Sequence, residues 1–93
     1  MIQSFKCKET MKIYNGNLSK KFPKDIQVRS LIKLRMIDGS KCLEDLKNPP
    51  GNRLEYLKGV KQDLLSIRIN DQWRICFRWE QNEAIDVEIC DYH

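Results

Sequence analysis

Hydrophobic and polar residues alternate along two neighbouring stretches in the last third of the chain, residues 64–70 and 73–79. Both stretches are rich in β-branched and aromatic residues and flank the turn-forming residues 70–72, which is the pattern of a β-hairpin. One face of this hairpin is apolar and comprises Ile67, Ile69, Trp73, Ile75, Phe77 and Trp79. The other face carries the arginines Arg68, Arg74 and Arg78. We therefore expect a sheet that packs one face on the core and presents arginines on the other.

Further strands extend the hairpin on both sides. Residues 84–90 follow a turn at 81–83. Their alternation places Ile85, Val87 and Ile89 on one face, with Asp86, Glu88 and Cys90 on the other. Residues 53–57 form a shorter strand, and the basic loop 58–63 joins it to the hairpin. Because short turns connect successive strands, we expect an antiparallel meander.

The first quarter of the chain predicts one strand and one short helix. Residues 1–6 alternate between apolar and polar side chains and form the expected first strand. Residues 9–14 form a short helix that ends before Asn15 and Gly16, a common sequence at helix C-termini.

The main helix is predicted at residues 24–38, between Pro23 and Gly39. Its polar sector is narrow and consists of Arg29, Ser30 and Lys33. Apolar residues occupy most of the remaining surface: Ile26, Val28, Leu31, Ile32, Leu34, Met36 and Ile37. Such a broad apolar surface has two interpretations, either packing between the sheet and another helix or partial exposure as a docking face for a partner protein.

Ser40 is expected to cap a short helical turn that extends to residue 46, before the prolines at 49 and 50 interrupt any helix. The predicted order is one strand, two helices and then the antiparallel strand meander. This order, with its helices on one face of the sheet, predicts a small single α+β domain spanning residues 1–93.

Composition agrees with a soluble globular domain. The 93 residues are 41% hydrophobic and 32% charged, and no apolar run approaches the roughly 20 residues that cross a bilayer. The N-terminal residues lack the apolar stretch of a signal peptide, so we expect a cytoplasmic location. The cysteines at 7, 42, 76 and 90 are widely spaced, and the chain has a single histidine; we therefore expect no metal site and reduced thiols.

The net charge of +4 is unevenly distributed. Residues 53–79 contain six Lys and Arg against three acidic residues, whereas residues 80–93 contain five acidic residues and no Lys or Arg. One interpretation is ion pairing between neighbouring strands. The other is an anion-binding surface whose excess positive charge attracts phosphate. Both can hold, since some arginines can pair while others stay available.

Candidate chemistry is limited to this basic face and the end of the chain. The sequence has neither a G-x-S-x-G elbow nor a glycine-rich phosphate loop. It does end in Asp91, Tyr92 and His93. A histidine, carboxylates and arginines together are compatible with RNA cleavage through the 2′-hydroxyl, in which a base, an acid and cations act without a metal.

Three stretches of the sequence carry a family resemblance: PPGNRLE at 49–55, SIRINDQWRICF at 66–77 and VEICDYH at 87–93. They resemble the HigB-type toxins, the plasmid-maintenance-killer branch of the RelE/ParE superfamily, and the opening MIQSF is similar to the start of that family. The resemblance covers essentially the whole chain. It implies a microbial RNase-like fold and a bacterial type II toxin that enters the ribosomal A site and cuts mRNA, with no cofactor.

The resemblance also implies site residues. Asp91, Tyr92 and His93 match the catalytic end of the family, with His93 transferring a proton, Tyr92 contacting the nucleotide and Asp91 orienting its neighbours. Arg74 matches the arginine after the tryptophan, a candidate for stabilising the transition-state phosphate. The remaining basic candidates for RNA binding are Arg53, Lys58, Lys61, Arg68 and Arg78.

Glu55 departs from one branch of the family. Some members carry a histidine in an LHPLKG segment, whereas this chain has Glu55 at that place, in the segment LEYLKG. A carboxylate can act as a general base, but it repels phosphate. Glu55 is therefore a candidate base or, alternatively, a structural partner of Arg53, Arg68 or Arg74.

The implied partners are a HigA-type helix-turn-helix antitoxin, the ribosome with its mRNA, and operator DNA bound through the antitoxin complex. Two other functions stay open at this point. One is inhibition of DNA gyrase, as in the ParE-like branch of the superfamily. The other is a weakly active binding module that serves mainly in operon repression.

Overall fold

The computed structural model describes residues 1–56 and 64–91. Two α-helices, α1 (Lys8–Tyr14) and α2 (Lys24–Gly39), precede 3₁₀ turns at Leu43–Lys47 and Pro50–Asn52. The strands that follow are β1 (Glu55–Tyr56), β2 (Leu64–Arg68), β3 (Trp73–Glu80) and β4 (Glu83–Asp91). They pair in the order β1-β2-β3-β4, and every pair is antiparallel. The predicted α+β class and strand meander are thus confirmed.

The hairpin of β2 and β3 has the predicted alternation. Ile67 lies opposite Ile75, and Ile75 lies opposite Ile89 on β4. These side chains are buried, and they pack with residues of both helices in one core. The turn is closed by Asn70, whose Oδ1 accepts hydrogen bonds from the amides of Gln72 (2.9 Å) and Trp73 (2.8 Å). This local side-chain bond explains why the two strands reverse here.

Strand β4 departs from simple alternation at a β-bulge. Cys76 pairs with Glu88 and Arg78 with Ile85, so two residues of β4 lie opposite the single residue between them on β3. Asp86 has a positive φ of 54°, a left-handed conformation that one class of bulge uses. The extra residue turns Ile85 away from the core, whereas the residues at 84 and 87 are fully buried. The prediction that Ile85 shares a face with Val87 and Ile89 was therefore wrong.

The N-terminal segment is extended but forms no continuous strand, which corrects the strand predicted at residues 1–6. It makes two isolated parallel bridges, between Ile2 and Ala84 and between Phe5 and Val87. The two bridges are separated by three residues along the N-terminal segment and by three along β4, because the bulge interrupts the ladder between them. The segment covers part of the outer edge of β4, and Asp38 accepts a hydrogen bond from the amide of Ile2 (2.9 Å).

Helix α2 packs on α1 and on strands β3 and β4. Its buried residues include Gln27 and Ser30. The sequence had placed Ser30 in the polar sector of the helix, but its side chain is fully buried. Gln27 is satisfied by the loop before the helix, since its Nε2 donates to the carbonyls of Ser19 (2.7 Å) and Phe22 (2.8 Å). On the other side of the helix, the apolar residues Val28 and Ile32 are 71% and 52% exposed. Packing on one side of the helix is therefore confirmed, whereas the other side exposes apolar side chains and its role as a docking face stays a prediction.

The end of α2 corrects the role predicted for Ser40. Its hydroxyl donates to the carbonyl of Met36 (2.7 Å), so it closes the last turn of α2 instead of capping the next helical turn. That turn is capped by Asp45, whose carboxylate accepts from the amides of Lys41 (2.9 Å) and Cys42 (3.4 Å). Among the described residues, neither helix has the length and apolar character of a membrane-crossing segment.

Candidate functional site

The sheet has a second face, opposite the core, which we call the arginine face. Strand register places Arg68 directly opposite Arg74, and Glu55 opposite Ser66, so these side chains share this side of the sheet. Arg78 lies on the same side, four residues along β3 from Arg74. The sequence had predicted the three arginines on one face, and the register confirms that placement.

Arg74 lies at the centre of the candidate site and is almost completely buried, with 7% of its side chain exposed. Its Nε donates to the hydroxyl of Ser66 (2.7 Å), and its Nη2 donates to the carbonyl oxygens of Arg53 (2.6 Å) and Ser66 (3.3 Å). These acceptors fix the orientation of the guanidinium. Since these acceptors are neutral oxygens, they do not cancel the charge of the guanidinium.

The contact with Arg53 explains how the chain reaches β1. Arg53 follows the 3₁₀ turn Pro50–Asn52 and adopts the left-handed conformation, with φ 44° and ψ 58°. A non-glycine residue rarely adopts this conformation unless its surroundings hold it there. The hydrogen bond from Arg74 to the Arg53 carbonyl is one such restraint. The backbone of Arg53 is thereby held at the border of the arginine face, and its side chain is exposed.

Glu55 lies beside Arg74 on β1. Its Oε1 is 3.9 Å from Nη2 of Arg74, and 47% of its side chain is exposed. Of the three arginines considered as partners for Glu55, Arg74 is the one with which it forms an ion pair in the described residues. The geometry therefore combines a fixed buried cation with a carboxylate that solvent and ligands can reach. The role of Glu55 as a general base stays a prediction.

Arg68 is more accessible than Arg74, with 30% of its side chain exposed. Its Nη2 forms an ion pair with the carboxylate of Asp71 in the hairpin turn. Asp71 is itself 99% exposed, so water screens this pair strongly. The pair therefore contributes little to holding Arg68 in place.

Arg78 is compensated by two carboxylates. Its Nη1 lies 3.4 Å from Oε1 of Glu80, and its Nη2 lies 3.2 Å from Oδ2 of Asp86 at the bulge. The bulge thus has an electrostatic consequence as well as a geometric one. Ion pairing between neighbouring strands, the first of the two predicted interpretations of the charge distribution, applies at this end of the face.

Asp91 ends β4 and lies on the other side of the sheet from Arg74. In the register of β3 and β4, Asp91 is opposite Trp73, whereas Arg74 is opposite Cys90. The carboxylate of Asp91 is exposed and accepts a hydrogen bond from Nε2 of Gln72 (3.3 Å). Asp91 therefore belongs to the end of the sheet beside the hairpin turn.

Four of the predicted site residues lie outside the described part of the chain: Lys58, Lys61, Tyr92 and His93. Their assigned roles stay predictions. In the described ranges 1–56 and 64–91, no three His, Cys, Asp or Glu side chains come together as a metal-binding group.

Two thiols lie on this face of the sheet. Cys76 is buried and Cys90 is half-buried. The contact with Cys76 is the main cause that raises the pKa of the Cys90 thiol, and burial and Glu88 raise it further. Cys90 therefore stays protonated and is no candidate nucleophile.

Two residues that hold the site were missed from the sequence. Ser66 provides two of the acceptors of Arg74, and Asn52 is a fully buried amide that donates to the carbonyls of Leu46 (3.2 Å) and Asn48 (3.3 Å). Ser66 stands between apolar strand residues on the predicted arginine face, and that position was the available signal. For Asn52 the signal was weaker, since its position after Pro50-Gly51 is also typical of an exposed turn.

Comparison with known proteins gives the family of this chain. Residues 3–93 match the family model described as the RelE-like toxin of the type II toxin–antitoxin system HigB. The chain therefore belongs to the HigB-like family of type II toxins, which implies an antitoxin partner.

Two relatives support this assignment. The chain is 38% identical over 64 residues to Toxin HigB-1 of Vibrio cholerae serotype O1, an alignment that covers 69% of this chain and 67% of the relative. It is 37% identical over 69 residues to an uncharacterized protein of Haemophilus influenzae, with 74% and 68% of the two chains covered.

Proposed function

We propose that this chain is a ribosome-dependent endoribonuclease that cleaves mRNA in the ribosomal A site. The observation that carries the proposal is the Arg74 end of the arginine face. There a buried, hydrogen-bonded guanidinium lies 3.9 Å from the accessible carboxylate of Glu55, and Arg68 lies directly opposite on β2. Membership of the HigB-like toxin family supports RNA as the target.

The reaction requires little beyond positioned protons and cations. A base removes the proton of the 2′-hydroxyl, the 2′-oxygen attacks the adjacent phosphorus, and the bond to the 5′-oxygen breaks as an acid protonates that oxygen. The products are a 2′,3′-cyclic phosphate and a free 5′-hydroxyl. Negative charge on the phosphorane oxygens rises in the transition state, and fixed guanidinium groups there lower the barrier.

The two arginines of this end have different roles in the proposal. Arg74 is too enclosed to wrap around a phosphate, so it holds Glu55 and the Arg53 backbone in place and contributes its positive charge. Arg68 is accessible and contacts the phosphate directly. This revises the prediction from the sequence, in which Arg74 was the candidate for that contact.

Proton transfer is assigned to His93, with Tyr92 contacting the nucleotide and Asp91 orienting the end of the chain. Glu55 is the second proton-transfer group, because its carboxylate is accessible and occupies the place of a family histidine. The basic residues Arg53, Lys58 and Lys61 hold the RNA backbone. Association with the ribosome completes the active site, so we expect the purified protein to have little activity on free RNA.

The antitoxin implied by the family is proposed to be a HigA-type helix-turn-helix protein. Binding of that protein neutralises the toxin, and the complex binds operator DNA and represses its own operon. The exposed Val28 and Ile32 of α2 are the described apolar side chains available on this helix for such a partner.

The test is to map mRNA 5′ ends on translating ribosomes after expression of the wild type, a His93-deleted form and Glu55→Gln. The wild type is expected to produce cuts at ribosome-bound sites, and deletion of His93 to abolish them. Glu55→Gln is expected to reduce cutting by roughly 10²-fold or more if Glu55 transfers a proton. Glu44→Gln is the matched control, because Glu44 is an exposed carboxylate paired with Lys47 in a 3₁₀ turn.

Other outcomes separate the competing functions. Intact mRNA together with gyrase-dependent DNA breaks would contradict the nuclease proposal and favour a gyrase inhibitor. Strong cutting of purified RNA without ribosomes would contradict ribosome dependence. Full activity of Glu55→Gln would assign Glu55 a structural role beside Arg74.

A further inference from the structure

A pocket of about 290 Å³ lies where α2, the 3₁₀ turn Pro50–Asn52 and the end of β2 meet. It is lined by Arg29, Lys33, Gly51, Arg68 and Ile69. A water molecule occupies about 30 Å³ in the liquid, so the pocket can hold several waters or one tetrahedral oxyanion. Among the residues that the structure describes, the three charged ones that line it are cations.

The three cations are positioned by the protein. Nη1 of Arg29 donates to the carbonyl of Ile69 (3.2 Å), and Nζ of Lys33 donates to Oδ1 of the buried Asn52. Arg68 is turned towards the hairpin by its ion pair with Asp71. Each of these bonds uses one donor, whereas a guanidinium has five N–H donors and an ammonium has three. The bonds orient the cations and leave donors for a ligand.

The charge of the cluster is poorly compensated. Among residues 1–56 and 64–91, neither Arg29 nor Lys33 forms an ion pair with a carboxylate. Burial is the main cause that lowers the pKa of Lys33, and the nearby charges of Arg29 and Arg68 lower it further. Like charges held this close repel one another, and a bound anion would relieve that repulsion.

We propose that Arg29, Lys33 and Arg68 form a binding pocket for a phosphate group. Resting on the proposed function, the ligand is a phosphodiester of the RNA strand other than the one that is cleaved. Arg68 belongs both to the pocket and to the arginine face, opposite Arg74. A strand that follows the face therefore passes the pocket, which fixes the strand at a second point.

A phosphate fits this site better than a carboxylate does. Two guanidinium groups and an ammonium line the pocket, two of these cations from α2 and one from β2, and a tetrahedral phosphodiester offers oxygens in several directions. A planar carboxylate satisfies one guanidinium well but presents its two oxygens in a single plane. Preference for phosphate over carboxylate is therefore a direct property of the proposed site.

The first experiment titrates inorganic phosphate into the purified protein at constant ionic strength and follows backbone and side-chain NMR shifts. Arg29→Gln and Lys33→Gln are each expected to weaken phosphate binding roughly tenfold, as for loss of a charge-assisted hydrogen bond. Lys33→Arg keeps the cation and is expected to stay within about twofold of the wild type. Lys24→Gln removes an exposed cation near the start of α2 and is the matched control.

A second pair of variants leaves all three cations in place. A Cβ added at Gly51 meets no atom within 4 Å, so a longer side chain is tolerated there. Gly51→Glu brings a carboxylate to the pocket and is expected to weaken phosphate binding roughly tenfold, whereas Gly51→Gln of the same size is expected to have little effect. This pair separates electrostatic competition from damage to the fold.

The second experiment measures binding of a short 2′-O-methyl RNA, which lacks the attacking hydroxyl, at several salt concentrations. One lost phosphate contact is expected to reduce the magnitude of the salt slope by about 0.7 for a single strand. Arg29→Gln and Lys33→Gln each show this change, and the double variant shows no more, because both residues hold the same phosphate.

Equal phosphate affinity of the wild type and the Arg29→Gln/Lys33→Gln double variant would overturn the pocket. Acetate binding as tight as phosphate binding would overturn the assignment and favour an acidic side chain of a partner protein. An additive loss of salt slope in the double variant would contradict a single shared phosphate. None of these measurements uses ribosomes. The phosphate pocket can therefore be refuted while the nuclease proposal stands, and the nuclease proposal can be refuted while the pocket stands.

Discussion

The two ends of the arginine face hold their arginines with different partners. Arg74 is fixed by the hydroxyl and carbonyl of Ser66 and by the carbonyl of Arg53, with Glu55 at 3.9 Å. Arg78, four residues along the same strand, is paired with the carboxylates of Glu80 and Asp86. The first guanidinium makes three hydrogen bonds to neutral oxygens and has one carboxylate at 3.9 Å, whereas the second is paired with two carboxylates.

This difference decides what each arginine can do for RNA. Two carboxylates compensate the charge of Arg78, so this end attracts phosphate weakly. Three hydrogen bonds of Arg74 go to neutral oxygens, and its ion pair with Glu55 is long, at 3.9 Å. In the described part of the chain, its neighbour Arg68 is paired with a fully solvated carboxylate. The face is therefore divided into an anion-attracting end and a compensated end, although its three arginines look equivalent in the sequence.

The largest expected effect is the loss of stability in Arg74→Ala. This change leaves the buried hydroxyl of Ser66 and two carbonyl oxygens without their donor, which is expected to reduce the free energy of unfolding by about 2–4 kcal/mol. Arg78→Ala removes exposed ion pairs and is expected to cost less than about 1 kcal/mol. Urea unfolding of both variants measures the difference. Equal losses would contradict the structural distinction between the two ends.

A smaller effect is expected on RNA affinity. Arg68→Gln is expected to weaken binding of a 2′-O-methyl RNA roughly tenfold, because an accessible cation loses its phosphate contact. Arg78→Gln is expected to change binding less than about twofold, since its charge is already compensated. Fluorescence anisotropy at fixed salt measures both affinities. The comparison fails if Arg78→Gln weakens binding as much as Arg68→Gln does.

The smallest effect is a gain. Removing both partners of Arg78 in the double variant Glu80→Gln/Asp86→Asn leaves its guanidinium uncompensated, and asparagine tolerates the positive φ of the bulge. RNA affinity is expected to rise about two- to threefold, with a steeper salt dependence. The same double variant in an Arg78→Gln background is the control and is expected to gain less. Unchanged RNA affinity and salt slope would show that the two carboxylates do not limit RNA binding at the Arg78 end of the face.

The sequence predicted the architecture well where one physical rule decided it. The alternation at 64–70 and 73–79 determined both strands, their faces and the turn, because a sheet with one buried face tolerates no other register. Strand β4 was placed correctly, but the bulge at Asp86 was not, since an aspartate with positive φ has no distinct sequence pattern. One inserted residue then reversed the expected orientation of Ile85.

The site was predicted less completely, because alternation gives the side of the sheet but not the depth of burial. Arg74 was correctly placed opposite the core, yet the segment around Arg53 and Glu55 covers it, which depends on contacts distant in sequence. Ser30 shows the same effect on α2, where a polar residue is fully buried by tertiary packing. The roles of Lys58, Lys61, Tyr92 and His93 stay predictions.

The most direct test of the central claim is the cleavage rate on programmed ribosomes with wild-type, Arg68→Gln and Arg78→Gln proteins, followed by the appearance of new mRNA 5′ ends. We expect ribosome-dependent cutting by the wild type, cutting slowed roughly tenfold or more in Arg68→Gln, and a rate within about twofold of the wild type in Arg78→Gln. Absence of new 5′ ends with folded wild-type protein, or equal slowing in the two variants, would contradict the account.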